Sequence, residues 1–174
     1  TIADLIAYRS LHEQSIEAAT RKTVTTEHGD FELHVFRDLI DDTLHYALTR
    51  GTISPSSPTL VRVQSLELLR DVFETRIADR RGWSASRALA RIAAENEGVL
   101  VLVGQERSAE SILADIDAYP RTPTPADGGE GLANYRIIGT GAQILKLLDV
   151  GQMRLLSSPL RFNALSGFDL DSNL

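Results

Sequence analysis

The side chains that could do chemistry in this chain are few, and they are mostly oxygen or guanidinium groups. There is no cysteine, which removes thiol nucleophiles, disulfides and thiolate metal ligands together. The four histidines, at positions 12, 28, 34 and 45, lack the i, i+4 pairing of a helical zinc site. They read as surface or strand residues rather than ligands. What remains is a scatter of cations and carboxylates. Arg62 lies in a short β-branched run, Glu106 just past an apolar run, and Arg136 ahead of a glycine-containing stretch. Ser157-Ser-Pro159 follows Met153-Arg-Leu-Leu, and a strand ending in a small polar loop at its carboxyl end is where α/β proteins often bind ligands. Such groups suit anion binding or proton transfer. Their plainer reading is ordinary pairing: carboxylates are in excess, so Arg62 and Arg136 have acids to meet, and Glu106 fits a solvated strand end.

The bulk properties narrow the field. The chain has 174 residues, 43% of them hydrophobic, enough for one good core and most simply one domain. Eighteen basic against twenty-four acidic side chains give a net charge of −6. Neither a nucleic acid nor an anionic membrane would find a basic field to use. No apolar run is long enough to cross a bilayer and no secretory pattern is present, so a cytoplasmic setting is expected. The chain opens on Thr1 without an initiator Met, the expectation being a piece cut from something longer.

The elements that must position these groups follow from pattern. Residues 1–19 are expected to form an amphipathic helix, with Thr1 and Asp4 as a capping signal and Leu5, Tyr8, Ile16 and Ala19 on one face. Strands are expected over 22–27, over Phe31 to Phe36 after a His28-Gly-Asp30 turn, and around Leu44, Tyr46 and Leu48, forming an antiparallel meander. Ser54 to Pro58 reads as a surface loop and Leu60 to Ser65 as a further strand. Ser84 or Ser86 caps a helix over 84–97 that turns Leu89, Ile92 and Ala93 inward and stops at Gly98. Val99-Leu-Val-Leu-Val103 has the length and continuity of a strand buried on both faces. A helix over 108–119 and a Pro- and Gly-rich loop over 120–131 come next. Gly139 and Gly141 are expected to give a flexible approach, Thr140 an N-cap, and Ile144, Leu147 and Leu148 a helix that Gly151 stops. The expected class is mixed α/β, antiparallel strands first and βαβ-like units afterwards.

Two stretches carry a resemblance. Asn134-Tyr-Arg-Ile-Ile-Gly-Thr-Gly-Ala-Gln-Ile-Leu, Arg154-Leu-Leu-Ser-Ser-Pro159 and Leu165-Ser-Gly-Phe168 resemble the end of GTP cyclohydrolase II, as found fused to dihydroxybutanone phosphate synthase in riboflavin synthesis. That family writes Tyr-Gly-Ile-Gly-Ala-Gln-Ile-Leu, Arg-Leu-Leu-Thr-Asn-Asn-Pro and a Gly-Tyr-Gly-Leu or Gly-Phe-Gly-Leu strand. The second stretch keeps Arg62-Val63, Ser65, Asp71-Val72-Phe73, Asp79 and Gln105-Glu106 of the family's Arg-Val-His-Ser-Glu-Cys, Asp-Val-Phe, Cys-Asp-Cys and Arg-Gln-Glu-Gly-Arg. Thr1-Ile-Ala-Asp-Leu-Ile-Ala-Tyr-Arg also resembles the junction after the synthase domain. The resemblance therefore implies a junction helix over 1–21 and a GTP cyclohydrolase II-like domain over 22–174.

The departures fall on the working positions. The family holds zinc with three cysteines and leaves an open position for water; here those positions are, within a one-residue slip, Glu67, Ala78 and Arg80. The expectation is that no metal and no other cofactor is bound. The family's Asp-x-Arg pair falls on Asn134 and Arg136, so the base is replaced by an amide while the arginine survives as a vestige. Its Glu-Gly-Arg clamp becomes Glu106-Arg107-Ser108, and the nucleotide-contacting Thr and Lys fall near Ser157 and Arg161. Arg62, Ser65, Glu106, Ser157 and Arg161 are thus the vestigial nucleotide-binding set, able to hold a nucleotide or phosphate at most. The resemblance implies a domain kept for assembly, stability or control of a synthase domain in cis, and a homodimer. Two other readings stay open: a zinc-free nucleotide or phosphate-ester hydrolase using Arg136, Glu106 and Asp79, or a nucleotide or flavin sensor.

Overall fold

The apolar run around Val99–Val103 sits at the middle of everything else. The computed structural model describes residues 14–76, 83–120, 129–156 and 171–172. In these residues the strands are β1 (Ile16–Thr26), β2 (Gly29–Asp38), β3 (Leu44–Arg50), β4 (Pro58–Ser65), β5 (Gly98–Val103), β6 (Gln152–Leu155) and β7 (Asp171–Ser172). The helices are α1 (Ala85–Glu95), α2 (Ala109–Ala118) and α3 (Gly129–Leu147), with one π-helical turn at Leu68–Val72. The strands form one sheet in the order β1-β2-β3-β5-β4-β6-β7. β1, β2, β3 and β5 pair antiparallel, while β5, β4, β6 and β7 run parallel. The expected mixed α/β class is what is found, and β4-α1-β5 is a βαβ unit of adjacent parallel strands.

β5 is buried because both faces of the sheet are covered. Val99, Val101 and Val103 meet Val61, Ala47 and Met153 under Ala142, Ile144 and Leu145 of α3. On the other face Leu100 meets Leu60 and Phe31 under Ala88 and Ile92 of α1. A continuous apolar strand is the residue pattern that a two-sided environment demands. Each such side chain contributes ~1.5–3 kcal/mol relative to standing in water.

Several expected elements are placed differently. Residues 1–13 of the expected first helix lie outside the described residues, and from Ile16 the chain is strand. Ile16 is buried against the core, and β1 pairs with β2 from Ile16↔Asp38 to Thr26↔Gly29 with one irregularity at Ala18/Thr20. Pairing with a neighbouring strand overrides the weak helical spacing of that stretch. In β3 the buried residues are His45, Ala47 and Thr49, while Leu44 is exposed and Tyr46 and Leu48 are half-buried, because the Ala47 face belongs to the core cluster that includes Ala142, Ile144 and Leu145 of α3. Gly139, Thr140 and Gly141 are inside α3 rather than ahead of a helix, and Thr140 is buried, not a cap. A Cβ on Gly141 would stand 2.6 Å from Val63 Cγ1, so this glycine serves close packing of helix on sheet.

The helix ends also differ. α1 begins as expected, Ser84 Oγ accepting from Arg87 N at 3.2 Å, but the left-handed residue that ends it is Asn96 (φ 57°), with Gly98 already in β5. Past the end of α3 at Leu147, Asp149 is left-handed (φ 63°), with Asp149 N donating to Lys146 O and Val150 N to Leu145 O. Gly151 is needed for another reason: Pro55 O would lie 2.3 Å from its Cβ. The loop expected over 120–131 overlaps the start of α3 at Gly129, and residues 121–128 are outside the described set.

Candidate functional site

Alternation along β4 puts Leu60, Arg62 and Gln64 on the α1 face and Val61, Val63 and Ser65 on the α3 face. Arg62, half-buried, donates from Nε to Gln64 Oε1 at 2.7 Å and from a terminal nitrogen to the carbonyl of Leu156 at 3.0 Å. Burial, with the like charge of Arg70, pulls its guanidinium down to about 10, against the pull of Asp71 and Glu67. It still carries its charge at neutral pH.

Gln64 passes the connection on, its Nε2 donating to Asp71 Oδ1 at 2.9 Å. The Asp71 side chain is 1% exposed and is the hub of the cluster. Its carboxylate also accepts from Ala85 N, the first residue of α1, and from Glu67 N, each at 2.9 Å, and from Arg70 through two nitrogens. A buried carboxylate persists only when its lone pairs are taken up this fully. Arg70 reaches further, donating to the Ser65 carbonyl and standing 3.3 Å from Glu67 Oε1. Ser65 Oγ donates to the same Glu67 oxygen at 3.2 Å. Arg62, Ser65 and Glu67 are thus brought into one network, and Gln64, Arg70 and Asp71 complete it. The period-2 pattern of β4 could have paired Arg62 with Gln64. Nothing local signals that Asp71 holds the start of α1, fourteen residues on.

The other expected site residues do not join this network. Arg136, on α3 and so on the opposite face of the sheet from Arg62, pairs with Asp41 in the β2–β3 turn. Both side chains are about one-third exposed, at 38% and 31%. Glu106 is exposed in the segment after β5. Arg107 turns back onto α2, meeting Asp115 at 2.6 Å and Ser111 Oγ at 2.8 Å. Asn134 falls in the backbone of α3, its side chain outside the described residues; Ala78, Asp79, Arg80, Ser157 and Arg161 also lie outside them.

One buried titratable group was not singled out by sequence. His45 is fully buried, and its Nδ1 accepts from Gly104 N at 3.0 Å. That bond requires a neutral ring with its hydrogen on Nε2, and Nε2 has no hydrogen-bond partner among the described residues. Burial pulls its pKa below the usual imidazole range, opposed by Asp38.

One family model, described as GTP cyclohydrolase II, matches residues 17–172, which include the Arg62–Asp71 segment at the carboxyl end of β4. The chain belongs to the GTP cyclohydrolase II family. Among its relatives is a 3,4-dihydroxy-2-butanone 4-phosphate synthase of Pseudomonas aeruginosa, 40% identical over 171 residues, covering 98% of this chain and 46% of the relative. A riboflavin biosynthesis protein RibBA of Bacillus cereus is 37% identical over 178 residues, covering 98% and 45%. The solved structure of RibBX, a two-domain 3,4-dihydroxy-2-butanone 4-phosphate synthase from A. baumannii, superposes with a TM-score of 0.65 at 36% identity. It covers 100% of this chain and 45% of that one. The chain therefore spans a little under half the length of these relatives.

Within this family member, no group of three His, Asp or Glu side chains among the described residues is placed to hold a metal ion. Glu67, one of the three positions where the resemblance puts a zinc ligand, has its carboxylate engaged by Ser65 and Arg70. Among the described residues, no helix is long and apolar enough to cross a membrane.

Proposed function

We propose that this chain is a GTP cyclohydrolase II-like module of a riboflavin-biosynthesis protein, working as a structural or regulatory partner of a dihydroxybutanone phosphate synthase domain in cis rather than as a cyclohydrolase. The observation that carries this reading is where the polar groups at and beside the family's motif positions are spent. Glu67 and Arg70 are tied to each other and to Asp71, and Arg136 is tied to Asp41 of the β2–β3 turn. Among the described residues, these side chains are bound to one another and to backbone groups. The donor set at the family's zinc positions, a carboxylate, a methyl and a guanidinium, does not fit zinc, which needs at least three Cys, His or carboxylate donors: the methyl has no donor atom and the guanidinium is itself a cation. An amide at position 134 cannot take a proton as a carboxylate does. That the two-domain RibBX and the Pseudomonas aeruginosa relative are named as synthases supports the same reading.

A partner domain or second copy, in a homodimer, would cover the large apolar side chains left exposed at Leu39, Leu66, Val72 and Phe73. A nucleotide- or phosphate-sensing role is the second reading, favoured by Arg62, a half-buried cation that donates to the neutral oxygens of Gln64 and Leu156. The test is paired. The chain should release no formate from GTP with zinc or magnesium added, and removing it from the full-length protein should lower the synthase's stability, assembly or activity. Formate above the buffer control that is lost on Arg136→Ala would sink the non-catalytic reading; an unaffected truncated synthase would sink the partner role. Thermal shift against GTP, flavin mononucleotide and ribulose 5-phosphate separates sensor from scaffold, since binding to the folded state raises Tm.

A further inference from the structure

We propose that the Arg70 guanidinium is the resident cation of the segment after β4, holding it closed by its own charge where a metal ion would otherwise be needed. The inference rests on the reading that the family's zinc is not bound here, and adds what took its place. The π-helical turn Leu68–Val72 buries no apolar residue, and Leu66, Leu68, Val72 and Phe73 in and around it are exposed. Apolar burial therefore does little to fold it. What converges instead is oxygen. The Ser65 carbonyl, the Glu67 carboxylate at 3.3 Å and the Asp71 carboxylate at 2.9 Å all meet the one guanidinium, whose side chain is 21% exposed. Two carboxylates and a carbonyl brought this close repel each other unless a cation stands between them, and one of the carboxylates is out of water.

A planar guanidinium can serve several oxygens in fixed directions. It has no vacant coordination position, so it supplies shape and charge without a Lewis acid. The loop that links β4 to the start of α1 through Asp71 thereby keeps its form in a chain with no thiolate to offer. Chelators should be irrelevant to it.

The experiment compares the chain as it exists with Arg70→Met, which keeps the stem and removes the charge, and Arg70→Lys, which keeps a charge without the fork. Thermal unfolding is measured with and without EDTA and with added zinc, together with hydrogen exchange and metal content. EDTA and zinc are expected to leave the wild-type Tm unchanged. Arg70→Met is expected to lower it by roughly 4–8 °C, with faster exchange concentrated in residues 65–75, and Arg70→Lys to fall between. An Arg70→Met protein with wild-type Tm and exchange overturns the proposal. If Arg70→Met does not fold, Arg70→Lys decides: a folded lysine variant supports a charge-held loop, and one that fails as completely refutes it. Near one zinc per chain with a Tm that falls in EDTA would overturn the underlying reading of metal loss, an outcome distinct from a neutral Arg70→Met in a metal-free protein.

Discussion

Gly141→Ala sets two known effects against each other, and the structure decides the sign. In the interior of a helix, replacing Gly by Ala stabilises by about 1 kcal/mol through backbone entropy alone. Position 141 is well inside α3, between the buried Thr140 and Ala142, so an isolated helix would gain that amount. Here the new methyl would stand 2.6 Å from Val63 Cγ1, with Val63 Cγ2 and Cβ at 3.5 and 3.6 Å. Valine is short and stiff at χ1, so it cannot swing clear. Either α3 lifts from β4 or Val63 leaves its rotamer, and overpacking of this kind costs about 1–3 kcal/mol. The net expectation is that the helix gain is cancelled or outweighed, a loss of up to about 2 kcal/mol, or a Tm lower by up to roughly 8 °C in a domain of this size. Thermal unfolding followed by far-ultraviolet circular dichroism measures it directly. A Val63→Ala partner should give back most of the loss, because removing the facing methyls makes room; the cycle should show a coupling of about 0.5–2 kcal/mol. A Gly141→Ala protein that melts 2–4 °C higher than wild type would refute the reasoning, because it would mean that α3 stands off the sheet at this point.

Three further outcomes follow from other parts of the molecule. Asp71→Ala orphans Gln64 Nε2 and the backbone N–H groups of Glu67 and Ala85, and should cost about 3–5 kcal/mol; a Tm drop smaller than roughly 3 °C would show that these donors find other partners. His45 is held neutral in the folded chain by burial, below its ordinary value of 6.5. Its contribution to stability is whole above that value and is lost as pH falls towards the depressed folded pKa, the unfolded chain taking up the proton first. The half-buried His34 is lowered in the same direction by its own burial. Denaturant midpoints should therefore decline from pH 7 to about pH 5, and His45→Gln should flatten part of that slope; an unchanged slope would place the titration elsewhere. Arg136→Ala should change stability by at most ~1 kcal/mol, since its pair with Asp41 is partly open to solvent, and a chemical-denaturation curve shifted by more than twice that would mean the pair anchors α3.

Sequence alone determined the parts of this protein whose cause is local or compositional. The run Val99–Val103 reads as a covered strand because it is continuously apolar, rich in β-branched valine and of strand length. Ser84 could be read as a cap because a serine oxygen satisfies N–H groups two or three residues away. The absence of cysteine bears on metal chemistry without any coordinates. Family membership was legible in the same way, since motif wording around Arg62 and Arg136 survives in the chain itself.

Tertiary structure decided whatever depends on a partner distant in sequence. Ile16 became strand because β2 was there to pair with it. Gly139-Thr-Gly141 looked like a loop but packs as helix because Val63 lies beneath it, and His45 rather than Leu44 or Tyr46 is buried because the Ala47 face of β3 belongs to the core cluster that includes residues of α3. The candidate site shows the same division. Arg62, Ser65 and Glu67 were visible as residues, but their binding into one network by Asp71, and the commitment of Arg136 to an aspartate ninety-five positions away, were not. Periodicity records which face of an element is apolar; it holds no record of which charge that face will meet.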